Sequence, residues 1–206
     1  MARIESLFAS RIYQAAITGR GTRILVAEIE RACRAIARDD RAGQAWSKAN
    51  GYRGYTSYAS LDDLAWRDPS IAALVPHLDA HAARFARALD YDVGRRALVL
   101  DSLWINLLQP GGGHAAHIHP RSAISGTYYV VVPPGASAIR FEDPRLPMLM
   151  AAPSRRPEAR RPNRTFAAFA PKAGSLLLWE SFLRHEVPVN AARSQRISIS
   201  FNYRAP

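Results

Sequence analysis

From residue 96 to its C-terminus the chain is written in short runs of β-branched, aromatic and leucine residues: "ALVLDSLWINLL", "GTYYVVV", "AIRF", "GSLLLW" and "RISISFNY". Between them stand "QPGGG", "PPGAS", "DPRLP" and "PKAG", whose Gly and Pro end pairing and reverse the chain. Strands that follow one another without helices between them have no room for parallel crossovers, so they pair antiparallel. The expected fold of this half is a sandwich or barrel-like jelly roll.

Residues 1–95 have a different period. Leu25, Ile29, Cys33 and Ile36 recur at helical spacing, which puts them on one buried stripe, and Leu78, Phe85 and Leu89 repeat the pattern. The intervening "SKANGYRGYTSYASLDDL" is a loop leading into a short helix. There Ser60 followed by Asp63 resembles an acidic relative of the capping box. The helical part has too little apolar surface to stand alone. We therefore expect one domain over 1–206, in which 1–95 is mainly helical support packed on one outer face of a β core spanning 96–206.

The length of 206 residues and the 48% hydrophobic content fit one folded globule. Runs such as "YYVVV" and "LLLW" fall far short of the roughly 20 apolar residues that cross a bilayer, so no membrane span is expected. "MARIESLFASRIY" has no continuous apolar core of the kind a secretory signal needs. The only cysteine, Cys33, permits no internal disulfide and sits on an apolar helical face, as a buried structural thiol would. These features place the chain in the cytoplasm. The formal charge of +11 raises the question of an acidic partner. Lys48 and Lys172 are the only lysines among the 28 basic residues, and only "SRRPEARRPNR", Ser154 to Arg164, concentrates the charge. That stretch has no aromatic side chains on which bases would stack. A solvated loop is the expectation, and nucleic-acid binding is not.

Three of the six histidines fall within "HAAHIHP". In an extended segment, residues two apart point the same way, so His117 and His119 converge while Ile118 faces the opposite layer. Pro120 then ends regular pairing, which places both imidazoles at a strand edge near an open mouth. His114 lies on the Gly-rich turn and has no evident direction. His185, in "WESFLRHEVPVN", stands between two strand runs and can reach the same mouth. Three neutral imidazoles bind Fe(II), Zn or another divalent cation; two solvated side chains are the alternative for any His-x-His pair. In "RSQRISISFN", alternation puts Arg196, Ser198, Ser200 and Asn202 on one face and Ile197, Ile199 and Phe201 on the other. If the apolar set packs on the helices, Arg196 points into the barrel, where a carboxylate ligand would compensate an otherwise costly cation and Ser198 would assist. The alternative is a wet outer face.

Taken in order, "HIHP", "SGTYYVVVPP", "IRFEDPR", "KAGSLLLWESFLRHEV" and "RISISFN" resemble the 2-oxoglutarate and iron(II) dependent oxygenases, a double-stranded β-helix superfamily. The likeness runs over residues 100–203, and extends more loosely to "FASRIY" and "SKANGY". It implies a mainly β fold with N-terminal helices and a double-stranded β-helix, jelly-roll or cupin-like, as its core. It also implies that His117, His119 and His185 are the catalytic metal ligands, that Arg196 and Ser198 hold the far carboxylate of 2-oxoglutarate, and that Asn106 and one of Tyr128 and Tyr129 contact that cosubstrate. Tyr129 is preferred. The family places Asp or Glu where this chain has His119. Asp143 in "FEDPR" is the alternative source of a carboxylate, and the spacing favours His119.

The resemblance therefore implies a dioxygenase that uses Fe(II), 2-oxoglutarate and molecular oxygen, hydroxylates a small-molecule or peptidyl substrate, and releases succinate and carbon dioxide. Trp104, Tyr52 and Tyr55 are candidate substrate contacts. The rivals are a cupin-like metal enzyme or small-molecule binding protein that does not use 2-oxoglutarate and, further off, a basic nucleic-acid-binding module. Whether the chain is a monomer or a homodimer stays open.

Overall fold

A computed structural model describes residues 1–94, 97–145 and 150–206; the expected boundary between 95 and 96 and the end of the "DPRLP" turn lie outside them. The elements run β1 (Ile12–Ala16), α1 (Thr22–Asp39), α2 (Arg41–Ala49), β2 (Gly54–Thr56), α3 (Leu64–Arg67), α4 (Pro69–Ala88), then β3 (Val99–Leu108), β4 (His114–His117) and β5 (Ile124–Val131). They continue with β6 (Ile139–Glu142), β7 (Phe166–Phe169), β8 (Ser175–Glu180), β9 (His185–Val187) and β10 (Arg196–Arg204). Six strands form one sheet in the order β1-β8-β5-β10-β3-β2, and four form a second in the order β4-β9-β6-β7. Every pairing is antiparallel. The two sheets make the double-stranded β-helix.

Alternation along the large sheet sorts its side chains into two cores. Ile105, Tyr128, Leu176, Leu178, Ile197, Ile199 and Phe201 pack against Ile29 and Cys33 of α1 and Ile71, Leu74, Leu78 and Phe85 of α4. Leu108, Tyr129, Leu177 and Trp179 face the other way and meet Ile139, Phe141 and Val187 of the small sheet. Fully burying such a side chain contributes about 1.5–3 kcal/mol, so the sheet is held from both sides and its inward-facing residues are fixed in direction. The fit is tight at Gly126: a Cβ there would overlap the Phe201 ring and come within 2.6 Å of Leu178 Cδ2.

Helices form the support expected of residues 1–95, but two strands from that region complete the large sheet. β1 pairs with β8 and β2 with β3, so the β layer is not confined to 96–206. Ser60 is also not a helix cap. Its hydroxyl donates to Asp40 Oδ2 at 2.6 Å, because α2 brings Asp40 back over the loop and a carboxylate is the stronger acceptor. Asp63 precedes α3 without a side-chain capping bond, whereas Asp68 caps α4 by accepting from Ser70 N at 2.8 Å.

Candidate metal centre

β4 and β9 lie side by side at one edge of the small sheet, with His117 directly opposite His185. His119 follows in the extended segment beyond β4, where its backbone N–H donates to Ser181 O at 3.1 Å. The ring centroids are 4.4 Å apart for His117 and His185, 5.0 Å for His117 and His119, and 5.2 Å for His119 and His185. One nitrogen from each ring lies within 4.8 Å of the others. The chain thus brings together the three imidazoles picked out by spacing.

Their orientation is set by backbone carbonyls. His117 Nδ1 donates to Ala115 O at 2.7 Å and His185 Nδ1 to Leu183 O at 2.9 Å. A carbonyl only accepts, so the proton is on Nδ1 and the Nε2 lone pair is left for a cation, the usual support of a metal-bound histidine. Burial first, and then the neighbouring His117, pushes the pKa of His119 down to about 4 and that of His185 down to about 3. Both are neutral at physiological pH, as ligands must be.

No carboxylate joins this group among the described residues. Asp143 is held elsewhere, accepting from Arg145 N at 3.0 Å, Nε at 2.9 Å and Nη2 at 2.8 Å. Arg145 is also the main reason its pKa is lowered.

Arg196 lies on the inward face of β10, 4% exposed. Its Nη1 donates to Ser137 O at 3.3 Å, its Nε has no partner, and its guanidinium carbon sits 5.1 Å from the centre of the Tyr129 ring. None of the ion pairs among the described residues involves it. Burial pulls its pKa below the usual arginine value. The Tyr129 hydroxyl is likewise buried without a partner. A buried cation outside the ion pairs of the described residues, packed over a tyrosine with a spare hydroxyl, fits an anionic, multiply accepting ligand such as a carboxylate. Ser198, also buried, sits across the ladder from both Tyr129 and Asn106. Asn106 already accepts from Thr56 Oγ1 at 2.9 Å and donates to Ser200 Oγ at 3.1 Å. Tyr128 belongs to the helix-side core, and Tyr129 faces the cavity.

Of the candidate substrate contacts, Trp104 lies 5.8 Å from the His119 ring, with exposed Tyr58 edge-on to it at 5.3 Å. Tyr55 does not reach the mouth: it is buried on the helix side and its hydroxyl donates to Asp40 Oδ2 at 2.8 Å. Sequence reasoning left His114 without a direction. Its Nε2 is 3.0 Å from the Tyr52 hydroxyl inside the protein. It also left out Trp179, whose ring is 4.7 Å from His185 and whose buried N–H has no partner.

Residues 102–202 match a family model described as "Putative 2OG-Fe(II) oxygenase". No curated protein sequence matches the chain. Among solved structures it is similar to the epimerase SnoN in complex with Fe3+, alpha ketoglutarate and nogalamycin RO, with TM-score 0.65, 16% identity, and coverage of 95% of this chain and 79% of SnoN. A Pseudomonas putida prolyl-4-hydroxylase gives TM-score 0.54, 15% identity and coverage of 95% and 92%. The Trichoplax adhaerens prolyl hydroxylase bound to a hypoxia inducible factor peptide fragment gives 0.59, 14%, 97% and 84%. At such identities the likeness is one of fold.

Proposed function

We propose, from the match of residues 102–202 to the 2OG-Fe(II) oxygenase family model, that the chain is a dioxygenase of that family in which His117, His119 and His185 hold the iron. Arg196 and Ser198, with Tyr129 and Asn106, hold the cosubstrate. When bound, iron(II) with 2-oxoglutarate supplies the oxygen-activating chemistry, in which one oxygen atom enters the substrate and succinate and carbon dioxide are released. The protein's part is orientation. Carbonyls of Ala115 and Leu183 fix two imidazoles, three neutral ligands leave positions open on the far side, and Phe141 and Trp179 pack against His185 and keep that wall dry.

The observation that supports this reading best is the buried Arg196, in none of the ion pairs among the described residues and packed over Tyr129 of the same inter-sheet core whose Phe141 and Trp179 pack against His185. A cupin-like metal enzyme that dispenses with 2-oxoglutarate gives that arginine no task. The substrate is a small molecule or a peptidyl side chain, reached past Trp104 and Tyr58. The arginine-rich stretch 154–164 is solvent-exposed almost throughout, as a solvated loop would be. A lone buried cysteine fits a reducing compartment, and the proposed location is the cytoplasm.

Anaerobic addition of Fe(II) and 2-oxoglutarate tests the reading through the weak visible charge-transfer band of the chelate. The band is expected in the parent protein, absent in His185→Ala, and demanding of much more 2-oxoglutarate in Arg196→Ala. Absence of the band from the folded parent, or equal bands in all three proteins, would overturn it.

A further inference from the structure

His114 precedes His117 by three residues, an odd spacing that in a regular strand would send the two side chains to opposite faces. The ladder is not regular here. His114 pairs with Val187 and His117 with His185, so three steps along β4 match two along β9 and the register shifts between them. One extra residue re-aims a side chain in this way. His114 therefore shares the face of its partner Val187, which packs in the inter-sheet core. There its ring stands edge-on to that of Tyr52, with centroids 5.4 Å apart and the hydroxyl 3.0 Å from Nε2.

The position along the cavity is informative. Tyr52 is two residues before Gly54, which pairs with Leu108 of β3, and Leu108 pairs with Arg196 of β10. Both Tyr52 and His114 feel the charge of Arg196, and His114 also feels His117. Through these pairings Tyr52 stands on the Arg196 end of the sheet, while His114 shares β4 with the metal-cluster residue His117. Burial first, then Arg196, drives the pKa of His114 down to about 3, so the ring is neutral with one N–H. Tyr52 contributes one O–H, which burial keeps protonated. One of these two protons is used between the partners. Whichever tautomer forms, the pair retains one uncommitted donor.

We propose that the Tyr52–His114 pair is a second arm of the cosubstrate anchor, giving a neutral hydrogen bond to the distal carboxylate that Arg196 holds by charge. This rests on the dioxygenase reading above. A buried hydrogen bond to a charged group is worth enough to change affinity by about ten- to a hundredfold.

The test is calorimetric titration of the Zn(II)-loaded protein, which needs no turnover, with 2-oxoglutarate and with 2-oxopentanoate, the same chain lacking the distal carboxylate. His114→Leu is expected to weaken 2-oxoglutarate about ten- to a hundredfold while leaving 2-oxopentanoate and Zn(II) binding unchanged. Tyr52→Phe should weaken 2-oxoglutarate by a smaller factor, and His114→Gln, which keeps a donor, should restore part of the loss. The last two carry the test if the leucine variant does not fold. Equal weakening of both acids would mean a structural role only, and no change in either would mean no contact; each overturns the inference alone. A parent protein that binds the two acids equally, or neither, would overturn the dioxygenase reading and the inference with it.

Discussion

His117 and His185 face each other across a single rung of the β4–β9 pair, their ring centroids 4.4 Å apart, although one follows the first core strand and the other opens the penultimate one. Closure of the sheet brings their nitrogens together, and His119 joins them through a backbone bond to Ser181. An imidazole ligates a metal as the neutral ring, so three of them would add no charge to offset that of a bound cation.

A divalent ion held by three imidazoles would keep its full charge. Replacing His119 by Asp or Glu places a negative charge against the ion. Unit charges about 4 Å apart attract by about 4 kcal/mol at an effective dielectric constant near 20, and part of this offsets desolvation. Zn(II) affinity, measured against a competing chelator, is expected to rise at least about tenfold, since that requires only about 1.4 kcal/mol. Affinity as low as that of His119→Ala would show that the position is not a ligand.

Gly126→Ala tests the packing between the large sheet and the helices. The added methyl would meet Phe201 and Leu178, both fully buried. Overpacking of this kind costs about 1–3 kcal/mol. Urea unfolding should show a lower midpoint with an unchanged slope, because the surface exposed on unfolding stays the same. An unaltered midpoint would mean that β5 and β10 shift freely at this point.

Cys33 gives a prediction in pH. Burial, followed by the charges of Asp68 and Glu30, raises its pKa from 9.0 to about 12. The folded state therefore favours the thiol. Its contribution to stability is complete below pH 9, the ordinary value, and is lost as pH rises toward 12. Native protein at pH 8 should resist a thiol reagent that reacts fully after denaturation, and Cys33→Ala should lose less stability between pH 9 and 11 than the parent. Prompt labelling of the native protein would show that α1 opens readily.

Several of these features were legible in the chain. Alternation of Ile197, Ile199 and Phe201 against Arg196 and Ser198 gave the direction of β10 correctly, because one face of that strand is wholly apolar and the helices claim it. The spacing of His117 and His119 gave two converging rings for the same reason of period. Short strands were harder. β9 is three residues long and β7 reads "FAAF", too little pattern to separate from loop. β1 and β2 are strands only because the edges of the large sheet accept them. Ser60 resembled a cap until a carboxylate twenty positions earlier took its hydroxyl, a contact that only tertiary folding creates. His114 was hidden by an irregularity in pairing that no local spacing announces.

That irregularity ties the length of β4 to the chemistry of the cavity. With three steps from His114 to His117, the strand holds both imidazoles inward because it bulges by one residue against β9. A regular ladder at the present spacing of three would turn one of them out to water, whereas "HAAH" shortened by either alanine would match the two steps of β9 and keep both inward without the bulge. In this stretch of chain, the extra residue of the bulge decides where the histidines point.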